Sequence, residues 1–210
     1  MGDDKNVAKQ VEVNPSNNSV AQLTERLKSA NADIRHVAAM RAGELMLREL
    51  LPELQTRLAD DDKRVRQSAA KSLGQLGDPK AVKSLLPLSS DPVLSVRFAA
   101  VESLVLLGEK LRPEWIEPII KSKDMSVWQN AAWLARRNGG NEAKYMLMRC
   151  LEFDDPSARN YYNYTLLWQI HACGGPDLKY HHDYDNEGDE NQIASNRKAL
   201  AQMKTELNHR

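Results

Sequence analysis

Apolar residues return along the chain in columns that share one interval. An aliphatic anchor falls at Ile34, Val65, Val96 and Val127, with Ala158 in the fifth place, each 31 residues after the last. Eleven residues upstream stand Leu23, Leu54, Leu85, Ile116 and Leu147, and seven upstream stand Leu27, Leu58, Ser89, Ile120 and Leu151. A spacing of four places both columns on one face of a helix, helix A of the unit. Four residues after the anchors come Ala38, Ala69, Ala100, Ala131 and Tyr162, and eight after come Ala42, Leu73, Leu104, Ala135 and Leu166. With the anchors, these form one face of a second helix, helix B. Small alanines at its middle position let A and B approach closely. The pattern predicts an all-α chain, an α-solenoid of about five antiparallel helix pairs.

The polar positions punctuate the same frame. Ser19 and Gln22 have the spacing of a capping box, so the first helix is predicted to start there. Asn31, Asp62, Asp124 and Asp155 stand three residues before their anchors, where helix B needs an N-cap. In Asp78-Pro79, Asp91-Pro92 and Asp155-Pro156 a proline follows a capping acid at the first helical position. Gly77, Gly108 and Gly139 lie twelve residues past their anchors, where a left-handed residue ends helix B. The first unit has Met46 at that place, and its helices are predicted to run closer to continuous before Pro52.

The ends differ from the middle. Residues 1–18 have the composition of a disordered leader. Residues 19–173 carry the repeats, and 174–210 an acidic linker and a final helix. In that last helix Ile193, Leu200, Met203 and Leu207 form an apolar stripe suited to capping the open end of unit five. Unit four carries Trp128 where the others carry arginine. Unit five carries Tyr162 in place of the alanine, which reads as an atypical, terminal unit.

The run from Val65 to Val82, VRQSAAKSLGQLGDPKAV, resembles the short bacterial HEAT repeat, also called the phycobilisome-lyase-type HEAT-like repeat. The resemblance covers residues 19–173 and is strongest in units two and three. It implies that the B helices line a concave surface. It also implies that Arg35, Arg66, Arg97 and Arg159 form an ion-pair ladder with the capping acids of neighbouring units, in preference to an anion-binding site. Similar repeats occur in phycobilin lyase subunits, in some DNA glycosylases and in modules of exported bacterial enzymes.

Composition narrows the function. Twenty-nine basic and twenty-nine acidic residues cancel, which supplies no electrostatic reason for a nucleic-acid partner. No apolar run approaches the roughly 20 residues that cross a bilayer. The first residues, Met1 to Ser19, hold no apolar signal core. A cytoplasmic location follows if Met1 is the native start, and an exported one if the chain is part of a longer protein.

Candidate chemistry is sparse. Asp183, Asp185, Glu187 and Gly188 match the first half of a calcium loop, but Glu190 and Ala194 break the second half. His181 and His182 are adjacent and do not converge on one metal easily. Cys150 and Cys173 fall at opposite ends of an antiparallel pair, about 20 Å apart at about 1.5 Å rise per residue, so two free thiols are predicted. His171 lies two residues from Cys173, where side chains on a helix diverge. No phosphate loop or nucleophile elbow occurs. No cofactor, metal or catalytic residue is assigned.

The helix-B positions two and six residues after the anchors face away from the buried stripe. They hold Phe98, Glu102, Gln129, Trp133, Asn160 and Tyr164 in units three to five, a floor suited to a protein or peptide partner. The packing alternative is that neighbouring elements bury these aromatics. The expected function is a non-catalytic interaction or scaffold module, a monomer that binds another protein or another domain of its parent chain. A bilin-lyase-like enzyme or subunit and a nucleic-acid-binding protein are the alternatives.

Overall fold

The computed structural model describes residues 19–151, 161–174 and 190–209. Unit one is α1 (Val20–Leu27) and α2 (Ala32–Glu44); unit two is α3 (Leu51–Arg57) and α4 (Lys63–Leu76). In unit three α5 (Val82–Leu85), continued by a 3₁₀ stretch at Leu86–Ser90, precedes α6 (Leu94–Leu106). Unit four is α7 (Pro113–Lys121) and α8 (Trp128–Asn138), and unit five α9 (Ala143–Met148) and α10 (Tyr161–His171). The last helix is α11 (Glu190–Asn208). No strand occurs among the described residues. Odd-numbered helices up to α9 are the A helices and even-numbered ones the B helices of an α-solenoid.

The columns seen in the sequence are the core. Leu23, Leu54, Leu85, Ile116 and Leu147 are all buried, as are Ala38, Ala69, Ala100 and Ala131, and Ala42, Leu73, Leu104, Ala135 and Leu166. Of the anchors, Val65, Val96 and Val127 are buried and Ile34, at the open end of the stack, is half-buried. One continuous apolar cluster runs from Leu23 to Met203.

The caps form with four corrections, the first at Asp124, which accepts from the Ser126 amide at 2.9 Å while α8 starts at Trp128 with Val127 at its N-cap and no side-chain cap. Ser19 and Gln22 close the capping box, and Asn31 and Asp62 accept hydrogen bonds from the amides of Asp33 and Arg64, each at 2.8 Å. Gly77 and Gly108 take the left-handed conformation at the helix ends. Unit four departs: Gly139 stays right-handed and Gly140 carries the positive φ, and the close approach of Ala143, whose Cα would lie 2.9 Å from a Cβ, is what requires glycine at 139. Unit one is not continuous before Pro52. Met46 itself adopts φ 54°, and the Leu47 amide reaches the Ala42 carbonyl at 3.0 Å, so the chain turns there without glycine. Pro92 precedes the first helical residue, Leu94, and Asp91 instead accepts from the Val93 amide at 2.8 Å.

Consecutive B helices in units one to three are locked by two repeated devices. Gly43 and Gly74, nine residues after their anchors, each lie against a serine of the next unit. Ser72 Oγ donates to the Ala39 carbonyl at 2.7 Å, and Ser103 Oγ to the Ala70 carbonyl at 2.9 Å. The second device is the arginine ladder. Arg35 grips Asp60 through two bonds of 2.8 and 2.7 Å, and Arg66 grips Asp91 at 2.9 and 3.2 Å. Each arginine also donates to two carbonyls at the end of its own helix A: Ser29 and Ala30 for Arg35, Asp60 and Asp61 for Arg66. The paired acids stand five residues before the next anchor, not three. The capping Asp62 belongs instead to Arg64, at 2.8 Å. Arg159 lies outside the described residues.

Both devices stop between units three and four. The glycine place holds Val105 and the serine place Leu134, the acid place holds Ser122, and the arginine of unit four is Trp128. Arg97 turns to the Asp91 carbonyl and Ser122 Oγ to the Ile119 carbonyl. Here α8 is held mainly through α7 and α9, with little direct contact to α6. Trp128 fills the gap as a fully buried ring, its indole N–H on the Met125 sulfur at 3.2 Å.

At the other end α11 packs on α9. Leu200 and Met203 are buried, Leu207 packs on the core, and Glu206 binds Lys144 and the Tyr145 hydroxyl. The leader (residues 1–18), Asp155, Ala158 and the segment 175–189 lie outside the described residues.

Two outcomes follow from this packing. Gly74→Ala would gain about 1 kcal/mol of helix propensity, but its Cβ would sit 2.9 Å from Ser103 Cα, and overpacking costs about 1–3 kcal/mol. The variant should therefore be less stable in urea titration; a stabilised Gly74→Ala would contradict the close approach. For Asp60, burial pushes the carboxyl up, but the Arg35 hydrogen bonds and the Asp62 amide overcome this and hold it below the ordinary carboxylate range. A depressed folded-state value contributes stability that is present above the unfolded pKa of about 3.9 and is lost as pH falls through the folded value. Asp60→Asn should cost about 3 kcal/mol at neutral pH, and its deficit should shrink below about pH 4. A deficit independent of pH would show that the charge is not what matters.

Candidate functional site: the exposed face of the B helices

The B helices bury their anchor stripe, which leaves the opposite side to present function. Offset two from the anchor proves largely covered by the neighbouring repeat. His36 Nδ1 lies 2.7 Å from Ser68 Oγ and 3.2 Å from the Arg64 carbonyl oxygen, so its polar edge serves packing between units one and two. Gln67 and Gln129 are half-buried. Phe98 is 8% exposed and belongs to the core. Asn160 lies outside the described residues, and so does the side chain of Tyr164.

Offset six is the open column. Met40 and Trp133 are each 41% exposed, Lys71 is exposed and Glu102 half-exposed. One turn further on, offset ten is open as well, a column the sequence reading did not single out. It holds Glu44, Gln75, Leu106, Arg137 and Trp168, of which Leu106 is 65% and Trp168 56% exposed. Its signal was available in the sequence: apolar residues at a place where the first two units carry Glu and Gln. The structure thus pairs Trp133 with Arg137 and leaves Trp168 exposed on the next unit, and it withdraws Phe98 into the interior.

The aromatic part of the face is also its cationic part. The Arg137 guanidinium lies 5.1 Å above the Trp133 ring, one helical turn away. Arg136 lies 5.7 Å above Trp168 and so bridges units four and five. Its Nε is buried and makes no hydrogen bond among the described residues. Stacking on the indoles occupies the faces of these two cations; the N–H edge of exposed Arg137 stays open, while Arg136 is half-buried with its Nε inward. Arg35, Arg64 and Arg66, by contrast, are each bonded to an aspartate.

Among the described residues, no group of three or more His, Cys, Asp and Glu converges. The calcium-like stretch from Asp183 and the pair His181 and His182 lie outside the described residues. Cys150 and Cys173 are both free. Cys150 donates to the Met146 carbonyl at 3.2 Å, and burial pushes its thiol up to about 12. Burial also raises Cys173, although Arg136 acts against the shift. No described helix is long and apolar enough to cross a membrane.

The fold and this face define a class, an α-solenoid whose B helices carry an open aromatic and basic patch. More narrowly, residues 20–105, units one to three, match the family model for HEAT repeats. No curated protein matches the chain. Among solved structures, it is similar to the complex of CpcE and CpcF of phycocyanin lyase from Nostoc sp., at 17% identity and TM-score 0.42, covering 100% of this chain and 71% of that one. An engineered protein aligns at 15% identity and TM-score 0.45, over 88% of this chain and 96% of that one. Human deoxyhypusine hydroxylase in complex with glycerol aligns at 16% identity and TM-score 0.40, over 90% and 84%. Likeness at this level transfers neither activity to the chain.

The thiols supply a test of the packing around unit five. A thiol-specific reagent near pH 8 should label Cys173 on the native protein while Cys150 reacts only on unfolding, since it is the thiolate that reacts. Equal native rates would contradict the burial of Cys150.

Proposed function

We propose that the protein is a non-catalytic binding module, a monomer that holds another protein, or another domain of its parent chain, on the exposed B-helix face centred on Trp133. The observation that carries this reading is the alignment of exposed apolar side chains on two adjacent columns: Met40, Leu106, Trp133 and Trp168. Single exposed apolar residues are ordinary on a soluble surface. Here four of them recur at one offset pair of the helix-B repeat, while Leu45, Met46 and Met125, the other exposed large apolar residues among those described, lie in the turns. Exposed indoles on rigid helices bury much area at small entropic cost when a partner arrives. The cancelling formal charge supports a protein partner over nucleic acid.

A second reading, a phycobilin-lyase-type role, is favoured by the Trp–Arg pairs. A planar pigment bearing carboxylates could stack on an indole and meet a guanidinium. The resemblance to phycobilisome-lyase-type repeats points the same way.

The two readings separate experimentally. A photo-crosslinking residue in place of Trp133 should capture a partner protein, and one in place of Lys83, on helix A, should not. Phe98→Ala is unsuited to this purpose because it empties part of the core. Equal capture at both positions removes the B-helix reading. An absorbance shift of phycocyanobilin that Trp133→Ala and Trp168→Ala abolish would favour the pigment instead.

A further inference from the structure

The patch on units four and five carries positive charge without the aspartates that hold the ladder arginines Arg35 and Arg66. In units one and two every ladder arginine has an aspartate within 3.2 Å or less. Among the described residues Arg136 lies over the Trp168 ring and near the Cys173 thiol, Arg137 lies over the Trp133 ring, and neither is joined to a carboxylate. The other side chains on this part of the face are Trp133 and Trp168, with His171 exposed at the end of α10. No acidic side chain stands at the open offsets of unit four, and Trp168 fills offset ten of unit five. A guanidinium held flat on an aromatic ring is pre-organised, loses little freedom on binding, and presents a planar pair of donors that matches a carboxylate. Two such donors beside two half-exposed indoles make a mixed surface, apolar in area and cationic at its edges.

We propose that this patch recognises an acidic peptide segment, carboxylates meeting Arg136 and Arg137 while an apolar or aromatic side chain between them packs on Trp133 and Trp168. The proposal rests on the B-helix face as the binding surface and adds the chemistry of its occupant. Charge complementarity selects the occupant: a basic or neutral segment would leave both guanidinium edges unpaired in a desolvated contact, which is costly. A strand of nucleic acid could also stack on indoles and pair with arginines. Two features favour the peptide: among the described residues of this patch two arginines are available, too few to track a phosphate backbone, and no continuous basic groove runs along units one to three.

The test is selection from a displayed library of short random peptides against the full chain, followed by affinity measurement on synthetic copies of the winners. The expected winners are rich in Asp and Glu around an aromatic or aliphatic residue, and their binding weakens with salt. Arg136→Gln combined with Arg137→Gln should lower affinity about tenfold or more, with the helical circular dichroism unchanged. Arg137→Lys should recover only part of it, since it restores charge without the planar fork. Winners without acidic excess, or acidic winners indifferent to the double variant, overturn the proposal. If such winners are still lost on Trp133→Ala, the face binds protein and only the acidic class fails. Winners indifferent to both the arginine and tryptophan variants, or no winners at all, remove the face reading as well. Arginine-dependent binding of oligothymidine in preference to the winners assigns the patch to nucleic acid.

Discussion

The closest approach between consecutive B helices is the constraint on which the other features depend. At Gly43 and Gly74 there is no room for a Cβ, and the hydroxyls of Ser72 and Ser103 fill the contact by donating to carbonyls of the preceding helix. A serine at this place satisfies its own buried oxygen and fixes the axial register, because the carbonyl it reaches lies on a different helix. The register in turn brings Arg35 and Arg66 opposite Asp60 and Asp91. The ladder could not close if the helices stood even one side-chain layer further apart. The small residue comes first physically, and the ion pair is its consequence.

Where that contact lapses, the character of the molecule changes. Val105 and Leu134 replace the glycine and the serine, and Ser122 and Trp128 replace the acid and the arginine. All four substitutions fall at one boundary, and the match to HEAT repeats ends at residue 105, beside it. Cohesion there passes to apolar burial: Trp115, Ile116, Ile119, Ile120 and Trp128 join units three and four through α7. A hydrophobic joint of this kind is strong but not directional, so it sets separation without fixing register. The exposed indoles begin just beyond it, on helices no longer obliged to lie against a close neighbour.

Much of this was legible in the chain. A period of 31 residues with apolar columns at fixed offsets specified the helix pairs, the core and the alanine contact, because burial is what such columns encode. Capping residues were legible for the same reason, a local bond satisfied by a local side chain. What the sequence concealed was set by relations between repeats. Asp91 read as a capping acid and Asp60 had no assigned role, and only the register between helices made them arginine partners. Phe98 and Trp133 looked equivalent by offset angle, yet the adjacent repeat covers offset two and leaves offset six open. Met46 shows the opposite failure, a turn imposed by the stack on a residue that disfavours it. For the site, the residue types were visible and their exposure was not.

Net charge is a poor guide to a surface assembled this way. Twenty-nine positive and twenty-nine negative side chains sum to zero, but the sum mixes charges already spent with charges still free. Arg35, Arg64 and Arg66 and their aspartates cancel within the scaffold. In sequence a dense run of acids stands between Asp183 and Glu190, while Arg136 and Arg137 stand beside tryptophans. Removing the internal pairs from both sides of the balance leaves the total unchanged and exposes how unevenly the remainder is distributed. For a molecule built from repeats, partner chemistry follows the charges the register leaves unpaired, and among the described residues of units four and five two guanidinium groups stacked on indoles stand without a carboxylate.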